Sequence, residues 1–334
     1  MTDAITTGRG SARPAVPAGG DRLAAPAVDR APVGPVRTAA PGTRCETRSE
    51  GDRSGAAPCA DPPGPTEEHT MISPIFLDGA PNWVDLGTPD LDGATGFYRE
   101  LFGWGLIPGG PEVGGYGMLT LDGRYVGGVM TVPEEQAPSA WSVSFQSPDV
   151  AATAAAVQRA GGSAVFEPMD VLDFGSMGGF TDPAGAYFGV WQPKDHPGFG
   201  VIQEPDSFLW AELYTPDVPA AAAFYTIVFG WGTDELKVEG TDYTYTTAHP
   251  AGADADASFG GLVRMGDVPT GAARGPHWLP YFAVADVAAT VAVARRLGGT
   301  ETLAAMEVPG VGTMANVADP YGAVFAVMRP EPRQ

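Results

Sequence analysis

The stretch NWVDLGTPD (residues 82–90) returns as LWAELYTPD at 209–217. Each copy sets a tryptophan and, two residues on, a carboxylate inside a run of strand character, and each closes on Thr-Pro-Asp. Outward from it the likeness continues: PDLDGATGFYRELFGWG (89–105) matches PDVPAAAAFYTIVFGWG (216–232). Trp83 and Trp210, Asp90 and Asp217, and Trp104 and Trp231 all stand 127 residues apart. Farther along, DPAGAYFGVWQP from Asp182 matches DPYGAVFAVMRP from Asp319 at a separation of 137, which Trp141/Trp278 and Asp149/Asp286 share. A fixed-period likeness of this kind marks a duplicated structural unit. The change in offset implies about ten residues inserted near HPAGADADA in the second copy.

Each copy is itself double. Asp90, Asp149, Asp217 and Asp286 each follow a short apolar strand and open a helical run, and glycines close all four runs. An aspartate there accepts the free amide hydrogens of the first helical turn, so the pattern reads as an N-cap. Ala94, Phe97, Leu101 and Phe102 fall at helical spacing and predict one buried stripe. Short β-type runs such as YGMLTL, YVGGVMTV, MGGFTD and AYFGVWQP follow, separated by glycine and proline turns. The module is strand, helix and about three strands, and four modules make the chain.

Composition divides the 334 residues unevenly. Residues 1–70 contain no Phe, Trp or Tyr and are rich in Ala, Pro, Gly and Arg. They offer too little apolar surface to offset the entropy of ordering and read as a disordered tail. Met71 stands where the composition changes and is a candidate translation start. The remainder carries 11 basic and 31 acidic side chains. Such a body repels phosphate backbones and anionic membranes, which argues against both as partners. No apolar run reaches the roughly 18 residues of a membrane span, so a cytoplasmic protein is expected. Cys45 and Cys59 belong to the tail, which leaves the folded part with no thiol nucleophile and no cysteine metal site. PKDHPGFGVIQEPDSF (193–208) reads as an exposed linker, with His196 exposed in it, and His249 reads as exposed in the inserted loop. His69 lies in the tail.

The strand–PD–helix–FYRELFGWG opening, the second-module openings WSVSFQSPD and HWLPYFAVAD, and the DPxG hairpins together resemble the vicinal oxygen chelate superfamily. That superfamily includes glyoxalase I, extradiol dioxygenases and bleomycin- and fosfomycin-resistance proteins. The sequence is most similar to two-domain, glyoxalase-like actinobacterial proteins related to a mycobacterial culture-filtrate antigen. The resemblance implies an α+β fold in which four βαβββ modules form two tandem domains with cupped mixed sheets, at 79–193 and 207–330, joined by a linker at 194–206. It also implies where metal-using members keep their ligands: seven residues before the first aspartate, six before the second-module aspartate, and seven after the DPxG aspartate. Here those positions hold Trp83 and Trp210, Val143 and Pro280, and Gly189 and Ala326. None binds a divalent cation, so neither a metal nor any other cofactor is expected.

Side chains alternate along a strand, so Trp83 shares a face with Asp85, and Trp210 with Glu212. If the resemblance places the indoles in the cups, the carboxylates stand there too, as candidate general acids or bases. They are equally readable as acceptors for neighbouring strands. The same alternation offers Trp141 with Phe145, Trp278 with Phe282, and Tyr187 with Trp191 as aromatic walls for a flat small molecule. His277, beside Trp278, is the one histidine near a predicted site. Three readings follow: a metal-free protein that binds an aromatic metabolite or drug; an enzyme of lyase, isomerase or oxygenase type, using Asp85 and Glu212 or a metal; and a protein whose cups are filled by its own side chains. A duplicated chain completes by itself what single-domain relatives assemble as dimers, which favours a monomer.

Overall fold

The computed structural model describes residues 77–133, 138–237, 244–267 and 275–331. The tail at 1–70 and Met71 lie outside them. The four modules are present in the expected order. In the first half, β1 (Pro81–Thr88), α1 (Leu91–Phe102), β2 (Gly105–Ile107), β3 (Gly117–Leu121) and β4 (Arg124–Thr131) form one module. The next comprises β5 (Ala140–Gln146), α2 (Val150–Arg159), β6 (Ser163–Val171), β7 (Gly175–Thr181) and β8 (Tyr187–Pro193). The second half repeats this with β9 (Phe208–Thr215), α3 (Val218–Phe229), β10 (Gly232–Lys237), β11 (Thr244–His249) and β12 (Gly260–Arg264). It ends with β13 (His277–Ala283), α4 (Val287–Arg296), β14 (Thr300–Val308), β15 (Gly312–Ala318) and β16 (Val324–Pro330).

All four aspartates cap their helices: a carboxylate oxygen accepts from Gly93, Ala152, Ala220 and Ala289 at 2.9–3.0 Å. Gly103 and Gly230 end α1 and α3 in the left-handed region, at φ 73° and 74°, where a side chain would be strained.

Each half forms one mixed eight-stranded sheet, ordered β2-β3-β4-β1-β5-β8-β7-β6 and β10-β11-β12-β9-β13-β16-β15-β14. Antiparallel β1–β5 and β9–β13 pairs join the modules at the centre of each sheet. The registers also place the inserted residues. Equivalent residues are 127 apart at Asp85 and Glu212, 129 at Tyr116 and Tyr245, 133 at Gly128 and Gly261, and 137 at Ser144 and Tyr281. The extra length is therefore spread over three connections and not confined to HPAGADADA.

The helix-facing sides of both sheets share one core. Here the FYxxxFGWG motif finds its purpose. Trp104 Nε1 donates to the carbonyl of Asp206 at 2.7 Å, and Trp231 Nε1 to that of Gly79 at 2.8 Å, so each indole is anchored on the other half of the chain. Tyr98 on α1 donates to Asp319 of the second DPxG turn at 3.2 Å and accepts from Trp141 Nε1 at 2.8 Å. Tyr225 repeats the arrangement with Asp182 and Trp278. Each DPxG aspartate meanwhile gathers the backbone N–H groups of its own turn on its other oxygen. Phe282 packs among Phe102, Trp104 and Trp141, and Phe145 among Phe229, Trp231 and Trp278.

Trp141, Phe145, Trp278 and Phe282 are thus core residues and not cup walls. The register gives the reason: Trp141 lies opposite Leu86 and Trp278 opposite Leu213, both helix-facing. The connection at 194–206 also departs from expectation. His196, Phe199 and Val201 are buried, because Phe199 and His196 cover Trp83. His249 is half-buried at the end of β11, beside Asp234.

Removing an indole of this shared core, by Trp104→Ala or Trp231→Ala, should cost about 3–5 kcal/mol. Tyr98→Phe, which strands the partners Asp319 and Trp141, should cost about 1–3 kcal/mol. Denaturant unfolding should stay a single transition in all three variants, since the helix-facing sides of both halves share one core.

Candidate functional site

The faces opposite the shared core form the cups. On β1, Trp83 and Asp85 pair with Ser144 and Ser142 of β5, and parallel pairing of β5 with β8 brings Gly189 beside Ser144. The β5 positions that look into the cup are therefore Ser142 and Ser144. Val143, taken above as a ligand position, is buried against Val84 on the other side. On β8, alternation puts Tyr187 and Trp191 on the cup face with Gly189, as expected.

Asp85 is the polar centre of this cup. Its Oδ1 accepts from Tyr116 Oη at 2.5 Å and from Trp83 Nε1 at 3.2 Å, and the same indole N–H points at the Tyr116 oxygen at 2.7 Å. Among the described residues, nothing donates to Oδ2. Tyr116 reaches the carboxylate by lying across Gly128, where a Cβ would collide with the phenol oxygen. Burial pushes the Asp85 carboxyl up to about 6, although the Tyr116 and Trp83 bonds pull it down. Burial and the Asp85 charge together push the Tyr187 phenol up to about 12. Trp83 is backed by the connecting segment: the His196 ring meets it edge-on at 4.6 Å, and Phe199 lies at 5.7 Å. His196 also takes the Trp191 indole hydrogen bond on its carbonyl, and burial lowers its imidazole to about 4.

The second cup repeats the constellation and then closes it. Trp210 Nε1 donates to Tyr245 Oη at 3.0 Å, and Tyr245 donates to Glu212 Oε1 at 2.8 Å across Gly261. Two further phenols, Tyr214 and Tyr281, donate to Oε2 at 3.0 and 2.5 Å. Both carboxylate oxygens are engaged. Burial raises the Glu212 carboxyl against the three phenol bonds. His277 stacks flat on Tyr214 at 5.1 Å and braces that phenol. Leu279 and Tyr281 face this cup, and Pro280 does not.

Tyr116 and Tyr245 are hydrogen-bond partners of Asp85 and Glu212 that the sequence reading passed over. Their signal was there: each precedes a Gly-Gly pair, 127–128 and 260–261, in the strand beside Trp-x-Asp/Glu.

A divalent cation of the catalytic kind needs about three nitrogen or oxygen ligands converging on one point. Each cup supplies one carboxylate, and Trp83, Trp210, Gly189 and Ala326 hold the remaining positions. Among the described residues, no three His, Cys, Asp or Glu side chains cluster. The donor set does not fit a metal.

The description Glyoxalase/Bleomycin resistance protein/Dioxygenase superfamily fits both halves, its family model matching residues 80–190 and 207–327. The chain belongs to that superfamily. CFP32 of Mycobacterium tuberculosis, which carries a provisional glyoxylase name, is 36% identical over 269 residues, covering 78% of this chain and 98% of its own. The anthracycline biosynthesis protein DnrV of Streptomyces peucetius is 36% identical over 268 residues, covering 76% and 94%. The 2,3-dioxygenase LapB from Pseudomonas sp. KL28 superposes with a TM-score of 0.54 at 14% identity, over 77% of this chain and 95% of its own. The Mn(II)-bound glyoxalase from Novosphingobium aromaticivorans gives 0.53 at 16%, over 76% and 82%. At such identities these two structures establish the fold of this superfamily member and no more. No helix among its described residues is long and apolar enough to cross a membrane.

The Asp85 carboxyl should titrate near pH 6, read as a change in Trp83 fluorescence that Asp85→Asn removes. Because the folded state holds this proton more tightly than the unfolded chain, Asp85 should make stability fall as pH rises from about 4 to about 6. Asp85→Asn should flatten that slope, as urea midpoints measured across the window will show.

Proposed function

We propose that the protein binds a small, flat aromatic metabolite or drug in a cup of its sheet without a metal. The observation that carries this reading is the Trp83–Tyr116–Asp85 constellation: an indole holds the position where the family resemblance puts a cation ligand, and a hydrogen-bonded carboxylate stands beside it. Flat rings gain from dispersion and stacking against such walls, and one carboxylate oxygen orients them. The relation to an anthracycline biosynthesis protein supports a ligand of fused, hydroxylated rings. The single chain supplies both halves of its core, which supports a monomer. A cytoplasmic location is part of the same proposal.

Purified protein should carry far less than one equivalent of Zn, Mn, Fe or Ni by elemental analysis. Its tryptophan fluorescence should be quenched in a saturable way by aromatic probes. A stoichiometric transition metal, or no quenching by any probe, would overturn the reading.

A second reading rests on the Asp85 carboxyl at about 6. A group poised near neutrality suits proton transfer, and on this view Asp85 is the acid or base of a metal-free lyase, isomerase or hydroxylase-like step. Turnover of a bound aromatic that Asp85→Asn abolishes, with binding kept, would favour it.

A further inference from the structure

The two halves share a fold and a carboxylate constellation, yet four equivalent cup positions differ in one direction. Where the first half has Gly87, Ser142, Ser144 and Gly189, the second has Tyr214, Leu279, Tyr281 and Ala326. The small set brings little side-chain bulk to the face above the central strands. The large set covers that face, with Tyr214, Leu279 and Tyr281 only 4%, 2% and 2% exposed. Around them Val263, Ala326 and Met328 complete a separate apolar cluster, packed by Trp210, Met265 and Met314. Aromatic bulk in the first half sits instead on β8, at Tyr187 and Trp191, with Tyr187 36% exposed.

Hydrogen bonding divides the halves the same way. Glu212 receives three phenols on its two oxygens, which leaves it no oxygen facing a free side. Asp85 receives both of its donors on Oδ1. Asp85, Ser142 and Ser144 are each half-buried. A carboxylate oxygen without a protein donor, on a floor of glycine and serine, is matched by a ring that brings a donor of its own.

We propose that the first cup alone binds the ligand, a flat ring system carrying a hydroxyl or amino group directed at Asp85 Oδ2, and that the second cup is plugged by its own side chains. This rests on the small-molecule reading above and assigns its site. Glu212 becomes the centre of a structural network, and the tyrosines do for it what a bound ligand would do for Asp85.

The test uses the full chain and two probe pairs, 2,6-dihydroxyanthraquinone against anthraquinone and 2-naphthol against naphthalene, followed by calorimetry and fluorescence. A hydroxylated probe should bind once per chain, and its parent ring about 10-fold more weakly, as expected for loss of one hydrogen bond to a charged acceptor. Ser144→Tyr, which copies the second half's residue, should weaken binding by about 100-fold or more, the loss expected when the site is filled. Tyr281→Phe should leave affinity within about 2-fold while lowering stability. Should Ser144→Tyr fail to fold, indole variants decide: Trp210→Phe should keep the affinity and Trp83→Phe should reduce it. Two molecules per chain, binding that survives Ser144→Tyr, or loss of binding in Trp210→Phe but not in Trp83→Phe would overturn the assignment while leaving the small-molecule reading intact. No binding by any probe would overturn that reading itself, and the assignment with it.

Discussion

A β-strand has two faces, and the pairing of β1 with β5 settles which residues serve which. Once Asp85 lies opposite Ser142, the alternation sends Leu86 and Trp141 together to the helices. The same holds for Glu212 with Leu279 and for Leu213 with Trp278. One register, written twice, thereby separates a shared aromatic core from two polar-centred cups. A slip by one residue would put Trp141 into the cup and Asp85 into the core, away from the Tyr116 phenol it accepts from.

The core side explains why so much of the motif is aromatic. Tyr98 and Tyr225 carry hydroxyls into a dry interior, and each is satisfied twice, by an indole from its own half and by a turn aspartate from the other. The aspartate in turn holds its hairpin. Burying these polar groups is tolerable only while every partner is in place. The two halves consequently depend on one another, and the FYxxxFGWG and DPxG signatures are two sides of one contact.

Much of this architecture was legible in the sequence. Duplication, the capping aspartates and the sequence of elements in a module follow from spacing that a single chain displays. Alternation within one strand was enough to group Trp83 with Asp85 and Tyr187 with Trp191, whereas the cup as their face came from the family resemblance. Trp141, Phe145, Trp278 and Phe282 were misplaced because alternation fixes which residues share a face but not which face it is. That choice depends on the cross-strand register, which local sequence does not contain. His196 and Phe199 were read as exposed because Pro and Gly dominate their segment, while the nonpolar surface that buries them belongs to Trp83, more than a hundred residues away. Tyr116 was missed for a related reason: its partner is Asp85, two strands away in the sheet.

Duplication also changes what a carboxylate in a cup has to do. A single cup that must hold a ligand cannot surround its acid with donors, and the unpaired oxygen lowers the stability of the empty protein. With two copies in one shared core, the burden can be divided. Glu212, ringed by Tyr214, Tyr245 and Tyr281, is buried with its valences met, and its cup becomes additional apolar core. That stabilises a fold whose other cup retains Gly87, Ser142, Ser144 and Gly189 at the equivalent positions. Because the helix-facing sides of both halves share one core, stability gained in the second cup supports the glycine and serine positions of the first.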